Sequence, residues 1–334
     1  AEVIHRLGAE RCKRVKLPTK DANEWLMQGA EKVDFEGAIS DAKPQDPEEL
    51  RQASEFIARV KAAFYPAHNA ERDPVLRLDK DFDWFEFRPG ELTVWTGING
   101  HGKSLMVSQV MLGLMAQGER VVVFSGEMTP ERQVKRMVKQ ASGLDRPAPA
   151  FIEAIGHWMT DKLWLFNVVG SAGIDRLLQV FLYANKRYGN RHFVIDSLMM
   201  TDVPEDGPGA MTLQKDAMRK MCDFARRNGC HIHLVAHPRK GRDESQAPGK
   251  MDVAGSSKIT DGADNVFTVW SARRDEKDEI TDEPDAKLEL QKQRNGETQH
   301  YKLALWFVKG RNSFAPTAAA ARLATCHSRR AKFT

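Results

Sequence analysis

The chain has 334 residues, with 50 lysines and arginines against 46 aspartates and glutamates, and 41% of the residues are hydrophobic. This composition is ordinary for a globular protein, and the length suits one or two domains. The longest apolar runs are strand-sized, far short of the roughly 20 residues that cross a bilayer, which excludes a membrane-spanning protein. The net charge of +4 is small, so contact with nucleic acid must come from local basic segments.

The cysteines and the first residues bear on the compartment. The four cysteines form no C-x-x-C pair, so neither a zinc site nor a disulfide framework is indicated, and a reducing interior is the simpler interpretation. Residues 1–20 contain no apolar stretch of the kind that a secretory signal needs. The chain begins at Ala1 without an initiator methionine, and we expect it to be a piece of a longer polypeptide.

The first part of the chain predicts a small leading unit and a linker. Cys12–Leu17 is typical of a short strand, and Asp21–Gln28 of a helix whose start is capped by Asp21. The polar, proline-containing Asp41–Pro47 predicts a linker. In Pro47–Phe64 apolar residues recur at intervals of three and four, which predicts an amphipathic helix.

From about Phe82 the chain alternates strands and helices, which predicts an α/β fold with a mostly parallel sheet and helices on both faces. After Asp264 the segments are strand-like and predict extra strands at one edge, and the final Ala315–Thr334 shows no pattern and is predicted to be disordered. The predicted strands are Glu91–Thr96, Arg120–Ser125, Leu163–Val169, His192–Asp196, His231–Ala236, Asn265–Trp270, Lys287–Lys292 and Tyr301–Phe307, and the predicted helices are Lys103–Ala116, Pro130–Gln140, Ile174–Tyr188 and Thr212–Arg227.

The strongest motif is Gly97–Ser104, which matches G-x-x-x-x-G-K-[ST] and lies between a predicted strand and a predicted helix. Glycines let backbone N–H groups fold around phosphates, and the start of the helix adds positive potential. Lys103 is expected to reach the β- and γ-phosphates, and Ser104 to hold Mg²⁺. The predicted nucleotide-binding residues are Gly97, Asn99, Gly100, His101, Gly102, Lys103, Ser104 and Leu105.

Two acids follow predicted strands, where an open α/β sheet binds its ligands. Asp196 ends an apolar strand and is the candidate to complete the magnesium shell with Ser104, the alternative being an ordinary capping residue. Glu127 follows the strand ending at Ser125 and could polarise the attacking water. Its alternative role is to stabilise the dipole of the helix that starts at Pro130.

Three histidines lie close together in the sequence. His231, His233 and His237 would share one face of a strand, but three ligands along six residues of one strand are badly placed for tetrahedral zinc. His231 and His233 are therefore interpreted as strand residues. His237, at the end of the strand, is better placed as a sensor of the γ-phosphate.

Basic residues follow His237 in a glycine-rich stretch. Such a segment suits contact with the phosphates of single-stranded DNA, and a solvated loop is the alternative. Lys292 and Arg294 alternate beside Asn295-Gly296, which by itself indicates only a hairpin. The candidate DNA-binding residues are Arg239, Lys240, Arg242, Lys250 and Lys258.

Taken in order, these motifs resemble the RecA-like motor domain of the DnaB-type replicative helicases, and within them the Twinkle and phage primase–helicase branch. The resemblance runs from about Phe82 to Phe314. It rests on Gly-Glu-Leu-Thr-Val before the P-loop, Ser-Gly-Glu127-Met, Val-Ile-Asp196, Val-Ala-His237-Pro-Arg-Lys, Gly255-Ser256 followed by Ala263-Asp264-Asn265, and Lys292-Gln-Arg294-Asn-Gly.

This resemblance implies an ATP- and Mg²⁺-dependent enzyme that forms a hexameric ring on single-stranded DNA and moves 5′ to 3′. Glu127 would be the catalytic base and His237 the γ-phosphate sensor. Lys292 and Arg294 would act on the nucleotide of the neighbouring subunit. A RecA-like recombinase, a small-molecule P-loop kinase and a non-catalytic DNA-binding or loader module are the competing interpretations.

The residue pattern and the resemblance together predict how the chain is divided. Residues 1–40 resemble the tail of a toprim primase domain, 41–74 form a linker with the amphipathic helix, 75–314 the motor domain and 315–334 the disordered tail. The linker helix would dock on the adjacent subunit or pack on its own domain. We expect a bacterial or phage-encoded protein of the bacterial cytoplasm rather than one of the mitochondrial matrix.

Overall fold

The computed structural model describes residues 6–7, 11–44, 50–65, 72–78, 84–168, 170–204, 207–237, 257–271, 282–298 and 300–322. The chain divides into two compact units, residues 1–71 and residues 72–334. Among the described residues, every helix is too short or too polar to cross a lipid bilayer.

The first unit contains two short strands, β1 (Lys13–Arg14) and β2 (Lys43–Pro44), which pair antiparallel. Helices α1 (Ala22–Met27) and α2 (Lys32–Ser40) lie between them in the chain and have no buried residue in the structure as described. The predicted cap is present, because the Asp21 carboxylate accepts a hydrogen bond of 2.8 Å from the backbone N–H of Glu24.

The predicted amphipathic helix is shorter than expected. A 3₁₀ turn at Ala53–Phe56 leads into α3 (Ile57–Phe64), and residues 47–49 of the predicted span lie outside the described residues. The apolar side chains of Phe56, Ile57, Val60 and Phe64 are exposed.

The second unit is built on one sheet, which in the described part of the chain has nine strands. They are β3 (Leu92–Thr96), β4 (Val121–Ser125), β5 (Leu163–Leu165), β6 (His192–Asp196), β7 (His231–Val235), β8 (Asn265–Ser271), β9 (Ala286–Gln293), β10 (Tyr301–Val308) and β11 (Ser313–Ala315). Their order is β11-β10-β9-β8-β3-β7-β6-β4-β5; the pairs from β5 to β8 are parallel, and the pairs from β8 to β11 are antiparallel.

Helices cover both faces of this sheet, and each face has its own buried apolar cluster. The helices are α4 (Lys103–Ala116), α5 (Pro130–Ser142), α6 (Pro149–Met159), α7 (Ile174–Tyr188), α8 (Ala210–Asn228) and the short α9 (Ser257–Gly262). Side chains from α4, α5 and α6 pack on one face, and those of α7 and α8 on the other. The predicted fold class, mostly parallel with antiparallel strands at the C-terminal edge, is confirmed.

Further differences from the sequence prediction lie in α6 and in the C-terminal tail. Helix α6 was not expected, because Phe151, Ile152 and Trp158 are apolar yet lie partly exposed, so the helix shows no clean apolar stripe. The tail predicted to be disordered from Ala315 instead begins inside β11, and Ala321 is fully buried.

A cluster of three histidines is buried in the sheet. His192 lies on β6, and His231 and His233 on β7, each at most 2% exposed. His231 Nδ1 donates to the backbone oxygen of Arg88 at 2.8 Å, and His192 Nδ1 lies 3.2 Å from His233 Nε2. The predicted strand placement of His231 and His233 is confirmed, and their ring nitrogens take part in internal hydrogen bonds.

This cluster predicts loss of stability in acid. Burial lowers the pKa of His231 to about 3, and burial together with the other two histidines lowers the pKa of His233 well below its usual value. An unfolded histidine titrates near 6.5. Between those values the unfolded chain therefore binds more protons, so the free energy of unfolding is greatest above about pH 6.5 and falls as the pH decreases toward 3.

Denaturant unfolding measured from pH 7.5 to pH 4.5 tests this expectation, because His233→Gln should flatten the dependence of unfolding free energy on pH. The same substitution at the exposed His157 is the control. An equal slope in His233→Gln and the unchanged chain would show that other groups cause the acid sensitivity.

Candidate active site

The P-loop connects β3 to α4 and depends on glycine at two points of close approach. Gly97 has a φ of +144°, and a Cβ there would lie 2.0 Å from the backbone oxygen of Val269 on β8. Gly102, with a φ of +87°, would place a Cβ 2.7 Å from the ring of Phe314. A larger residue at either position would force the loop away from the adjoining strands, because backbone and ring atoms cannot yield by that distance.

Lys103 begins α4 and is 5% exposed. Its ammonium donates hydrogen bonds to the backbone oxygens of Gly97 at 2.7 Å and Ile98 at 3.1 Å. It also lies 3.5 Å from Asn99 Oδ1. The loop therefore wraps around a buried positive charge, as a phosphate-binding loop requires.

Ser104 and Asp196 are brought together although they lie 92 residues apart. Ser104 Oγ donates to Asp196 Oδ1 at 3.0 Å, which joins the start of α4 to the end of β6. Burial raises the pKa of Asp196 to about 6, and the nearby Glu127 carboxylate also raises it. The hydrogen bond from Ser104 acts in the opposite direction.

Glu127, Ser197 and His237 form a hydrogen-bonded chain beside this pair. Ser197 Oγ lies 3.2 Å from Glu127 Oε1 and 3.3 Å from His237 Nε2. On its other side, His237 Nδ1 contacts the side-chain oxygen of Asn99 in the P-loop. Burial, followed by the charge of Lys103, lowers the pKa of His237, while the Glu127 carboxylate acts in the opposite direction.

These contacts bring together residues from four adjacent strand ends. The P-loop follows β3, His237 follows β7, Asp196 ends β6 and Glu127 follows β4. Because these strands are parallel and adjacent in the order β3-β7-β6-β4, their carboxyl ends lie side by side at the same end of the sheet. The structure thus places the predicted phosphate, metal, base and sensor residues together at these carboxyl ends.

Arg136 on α5 is a residue of this site that sequence reasoning missed. Its charge interacts with those of Asp196 and Glu127, while burial lowers its pKa. Its Nη1 atom is buried and makes no hydrogen bond within the described structure. The signal that could have found it was its position on the apolar side of the amphipathic helix that follows Glu127.

His101 and Leu105 lie at the rear of the loop. His101 is 2% exposed, and its Nδ1 accepts a 3.4 Å hydrogen bond from the backbone N–H of Ser271 at the end of β8. Leu105 packs against the apolar core, and its backbone oxygen accepts from Gln140 at 3.0 Å. Both side chains support the loop from behind.

Arg294 lies near the amino ends of the parallel strands, whereas the P-loop of its own chain lies at their carboxyl ends. Arg294 Nη1 donates to Asp264 Oδ1 at 2.8 Å, and the other oxygen of that carboxylate accepts from the N–H of Leu92 at 3.0 Å. Leu92 begins β3, whereas the P-loop follows the last residue of this strand. A strand of this length spans about 16 Å, so Arg294 is remote from its own phosphate loop.

Lys292 lies beside Arg294 and contacts α9. Its ammonium donates to the backbone oxygens of Thr260 and Asp261, each at 3.0 Å. Burial and the charge of Arg294 lower the pKa of Lys292.

The predicted DNA contacts lie outside what the structure describes. Residues 238–256, which include Arg239, Lys240, Arg242 and Lys250, lie outside the described residues. Lys258 lies in the short helix α9.

The sheet order, the P-loop and the acids at the adjoining strand ends define a P-loop nucleotide-binding protein with a RecA-like core. The chain belongs to a family described as "AAA domain", whose model matches residues 59–243.

Comparisons with individual proteins agree with this assignment. The chain is 28% identical over 295 residues to the "Twinkle homolog protein, chloroplastic/mitochondrial" of Arabidopsis thaliana, a match that covers 81% of this chain and 42% of that protein. The chain therefore spans less than half the length of this curated relative.

Two solved structures share the fold. One, described as an "ATPase Domain", matches with a TM-score of 0.66 at 14% identity, covering 81% of this chain and 99% of that one. "The Structure Of A DnaB-Like Replicative Helicase And Its Interactions With Primase" matches with a TM-score of 0.63 at 14% identity, covering 85% and 70%. The predicted DnaB-type motor fold is confirmed, and the toprim-like character of residues 1–40 stays a prediction.

Proposed function

We propose that this chain is the motor of an ATP-dependent replicative DNA helicase, which forms a ring and moves 5′ to 3′ on single-stranded DNA. The observation that carries the proposal is that two groups of residues lie at opposite ends of the parallel strands. The group at the carboxyl ends is Lys103, Ser104, Asp196, Glu127 and His237, and Lys292 and Arg294 lie near the amino ends. A chain that carries the two parts of a nucleotide site at opposite ends of its strands is suited to forming complete sites between neighbouring subunits. The DnaB-like fold and the Twinkle relative support the same function.

Each residue has a defined part in the proposed reaction. Lys103 binds the β- and γ-phosphates, and Glu127 orients and activates the attacking water. His237 contacts the γ-phosphate and transmits its presence to the segment that begins at residue 238. Arg294, with Lys292, stabilises charge on the nucleotide bound to the next subunit.

The residues at the Ser104–Asp196 pair fit magnesium. A hydroxyl and a carboxylate oxygen lie 3.0 Å apart, and such hard oxygen donors are what Mg²⁺ prefers. Bound Mg²⁺ supplies neutralisation of charge on the β- and γ-phosphate oxygens. Ser104 and Asp196 would hold it, and the neighbouring Lys103 and Arg136 would balance the remaining negative charge.

The decisive experiment measures phosphate release with and without single-stranded DNA, together with unwinding of a forked duplex. A helicase motor should hydrolyse ATP faster with DNA and separate the fork. DNA-stimulated hydrolysis without unwinding would favour the RecA-like recombinase, whereas phosphate transfer to a small molecule would favour the kinase. An absence of ATP turnover would favour the non-catalytic module.

The basic segment gives a separate prediction. Replacing Arg239, Lys240 and Arg242 with alanine should weaken single-stranded DNA binding about equally for all base sequences. Each lost phosphate contact should also reduce the salt dependence by roughly 0.7 in the log–log slope. Replacement of three exposed cations of α7, Arg176, Lys186 and Arg187, is the matched control, and an unchanged slope in the loop variant would place the DNA contact elsewhere.

Assembly and location are also proposals. The separation of Arg294 from its own P-loop supports a homo-oligomer, which we propose to be a hexamer, and mass measurement with nucleotide bound tests its size. The bacterial cytoplasm stays a prediction, because the Arabidopsis relative is named as a protein of chloroplasts or mitochondria.

A further inference from the structure

Ser197 occupies the middle position between two residues with proposed roles in ATP hydrolysis. It follows Asp196 at the end of β6, and it is fully buried. Strand β6 lies between β4, which leads to Glu127, and β7, which leads to His237. The Ser197 hydroxyl is within hydrogen-bond distance of both, at 3.2 Å from Glu127 Oε1 and 3.3 Å from His237 Nε2.

A serine hydroxyl has only one proton to donate. Glu127 as a carboxylate accepts hydrogen bonds only, so a bond to Ser197 requires that proton. A neutral His237 has one nitrogen that donates and one that accepts. If Nε2 accepts, it competes with Glu127 for the same serine proton, and Nδ1 is then the donor that faces the side-chain oxygen of Asn99.

Asn99 makes the arrangement in which His237 Nε2 accepts from Ser197 consistent with the P-loop. Its side-chain oxygen lies 3.5 Å from the ammonium of Lys103, which can only donate. The same oxygen can accept from His237 Nδ1. In this arrangement the Ser197 hydroxyl donates its hydrogen bond to His237 Nε2. Glu127 Oε1 is then no longer bonded to Ser197 and can accept a hydrogen bond from water.

We propose that Ser197 is a positioning residue that couples His237 to Glu127, because its single hydroxyl can donate a hydrogen bond to only one of them at a time. A change in the contacts of His237 is thereby converted into a change in the orientation of the general base. The inference rests on the proposed function and adds a route by which the DNA-binding segment after His237 controls hydrolysis.

A double-mutant cycle in the full chain tests the coupling. Ser197→Ala should lower the stimulation of hydrolysis by DNA, the ratio of kcat with DNA to kcat without it, by roughly 10- to 100-fold, the range expected for a hydrogen bond to a charged group, with an unchanged Kd for a fluorescent ATP analogue. In a His237→Ala background the same change should have much less effect, because the partner that competes for the proton is gone. Ser197→Thr keeps the hydroxyl and should restore much of the stimulation by DNA.

Ser125→Ala is the matched control. Ser125 is also a buried serine at a strand end, two positions before Glu127, and its hydroxyl has no hydrogen-bond partner among the described residues. Thermal unfolding of each variant separates loss of rate from loss of fold. A Ser197→Ala stimulation by DNA within twofold of the wild-type value, or equal effects of Ser197→Ala on that stimulation in both backgrounds, would overturn the proposal.

The two levels of inference fail differently. A wild-type chain with no ATPase would overturn the proposed function and the role of Ser197 with it. An active, DNA-stimulated wild type with additive Ser197 and His237 effects would overturn the coupling alone.

Discussion

Replacing Glu127 with glutamine is expected to leave ATP binding intact while the rate of hydrolysis falls by about 10²–10⁴-fold, the usual contribution of a general base. The amide keeps the shape of the side chain and can still contact Ser197, but it cannot take a proton from water. Kd for a fluorescent ATP analogue and single-turnover phosphate release measure the two effects separately.

Glu131→Gln is the control that the structure offers. Glu131 lies in the first turn of α5, where it stabilises the helix dipole, whereas the Glu127 carboxylate faces Ser197 at the end of β6. Near-normal hydrolysis by Glu127→Gln, with a loss of stability like that of Glu131→Gln, would contradict the assignment as base and favour the helix-dipole role.

Arg294→Ala should have the larger effect on turnover. A cation supplied across a subunit boundary can be worth about 10³–10⁵ in rate, so hydrolysis should collapse while nucleotide binding to the chain's own P-loop persists. The structure supports action on a neighbour, because Arg294 lies at the amino edge of the strands and the P-loop at the carboxyl edge.

Mixing Arg294→Ala with Lys103→Ala makes the test specific. Each variant alone should be inactive, but some mixed interfaces would pair an intact P-loop with an intact Arg294, so partial ATPase activity should return. No recovery, under conditions in which subunits demonstrably exchange, would contradict action in trans and weaken the ring-helicase proposal.

Arg226→Ala separates this role from a structural one. Arg226 also faces the buried Asp264, at 3.8 Å, so its removal disturbs the same carboxylate without touching Arg294. If both substitutions lower activity and thermal stability alike, the ion pair and not the proposed action on the neighbour explains the effect.

The sequence predicted much of the fold because its signals are local. The bounds of α4, α7 and β6 were predicted to the residue, since an apolar pattern ends at a distinct stop, such as Gly189 with a φ of +70° after α7. The five residues gathered at the carboxyl edge were all named from the sequence, because each follows a recognisable strand or belongs to the P-loop.

What the sequence did not predict depends on contacts between distant segments. Ser197 and Arg136 are ordinary residues in the chain, and only the pairing of β4, β6 and β7 and the packing of α5 bring them to Glu127. Lys292 and Arg294 showed only a hairpin pattern, and their contacts with α9 and Asp264 depend on the antiparallel pairing of β8 with β9.

Residues 238–256 are flanked by two elements that make different contacts. One end continues from His237, whose ring contacts the P-loop through Asn99; the other enters α9, whose last carbonyls accept hydrogen bonds from Lys292. Under the proposed roles, the first anchor belongs to the chain's own nucleotide and the second to the next chain's. Under those proposed roles, the two flanking contacts depend on two different nucleotides, the chain's own and its neighbour's. If the proposed ring forms, equal occupancy of all its sites would make both contacts equivalent in every subunit, and only unequal occupancy would distinguish one subunit from the next.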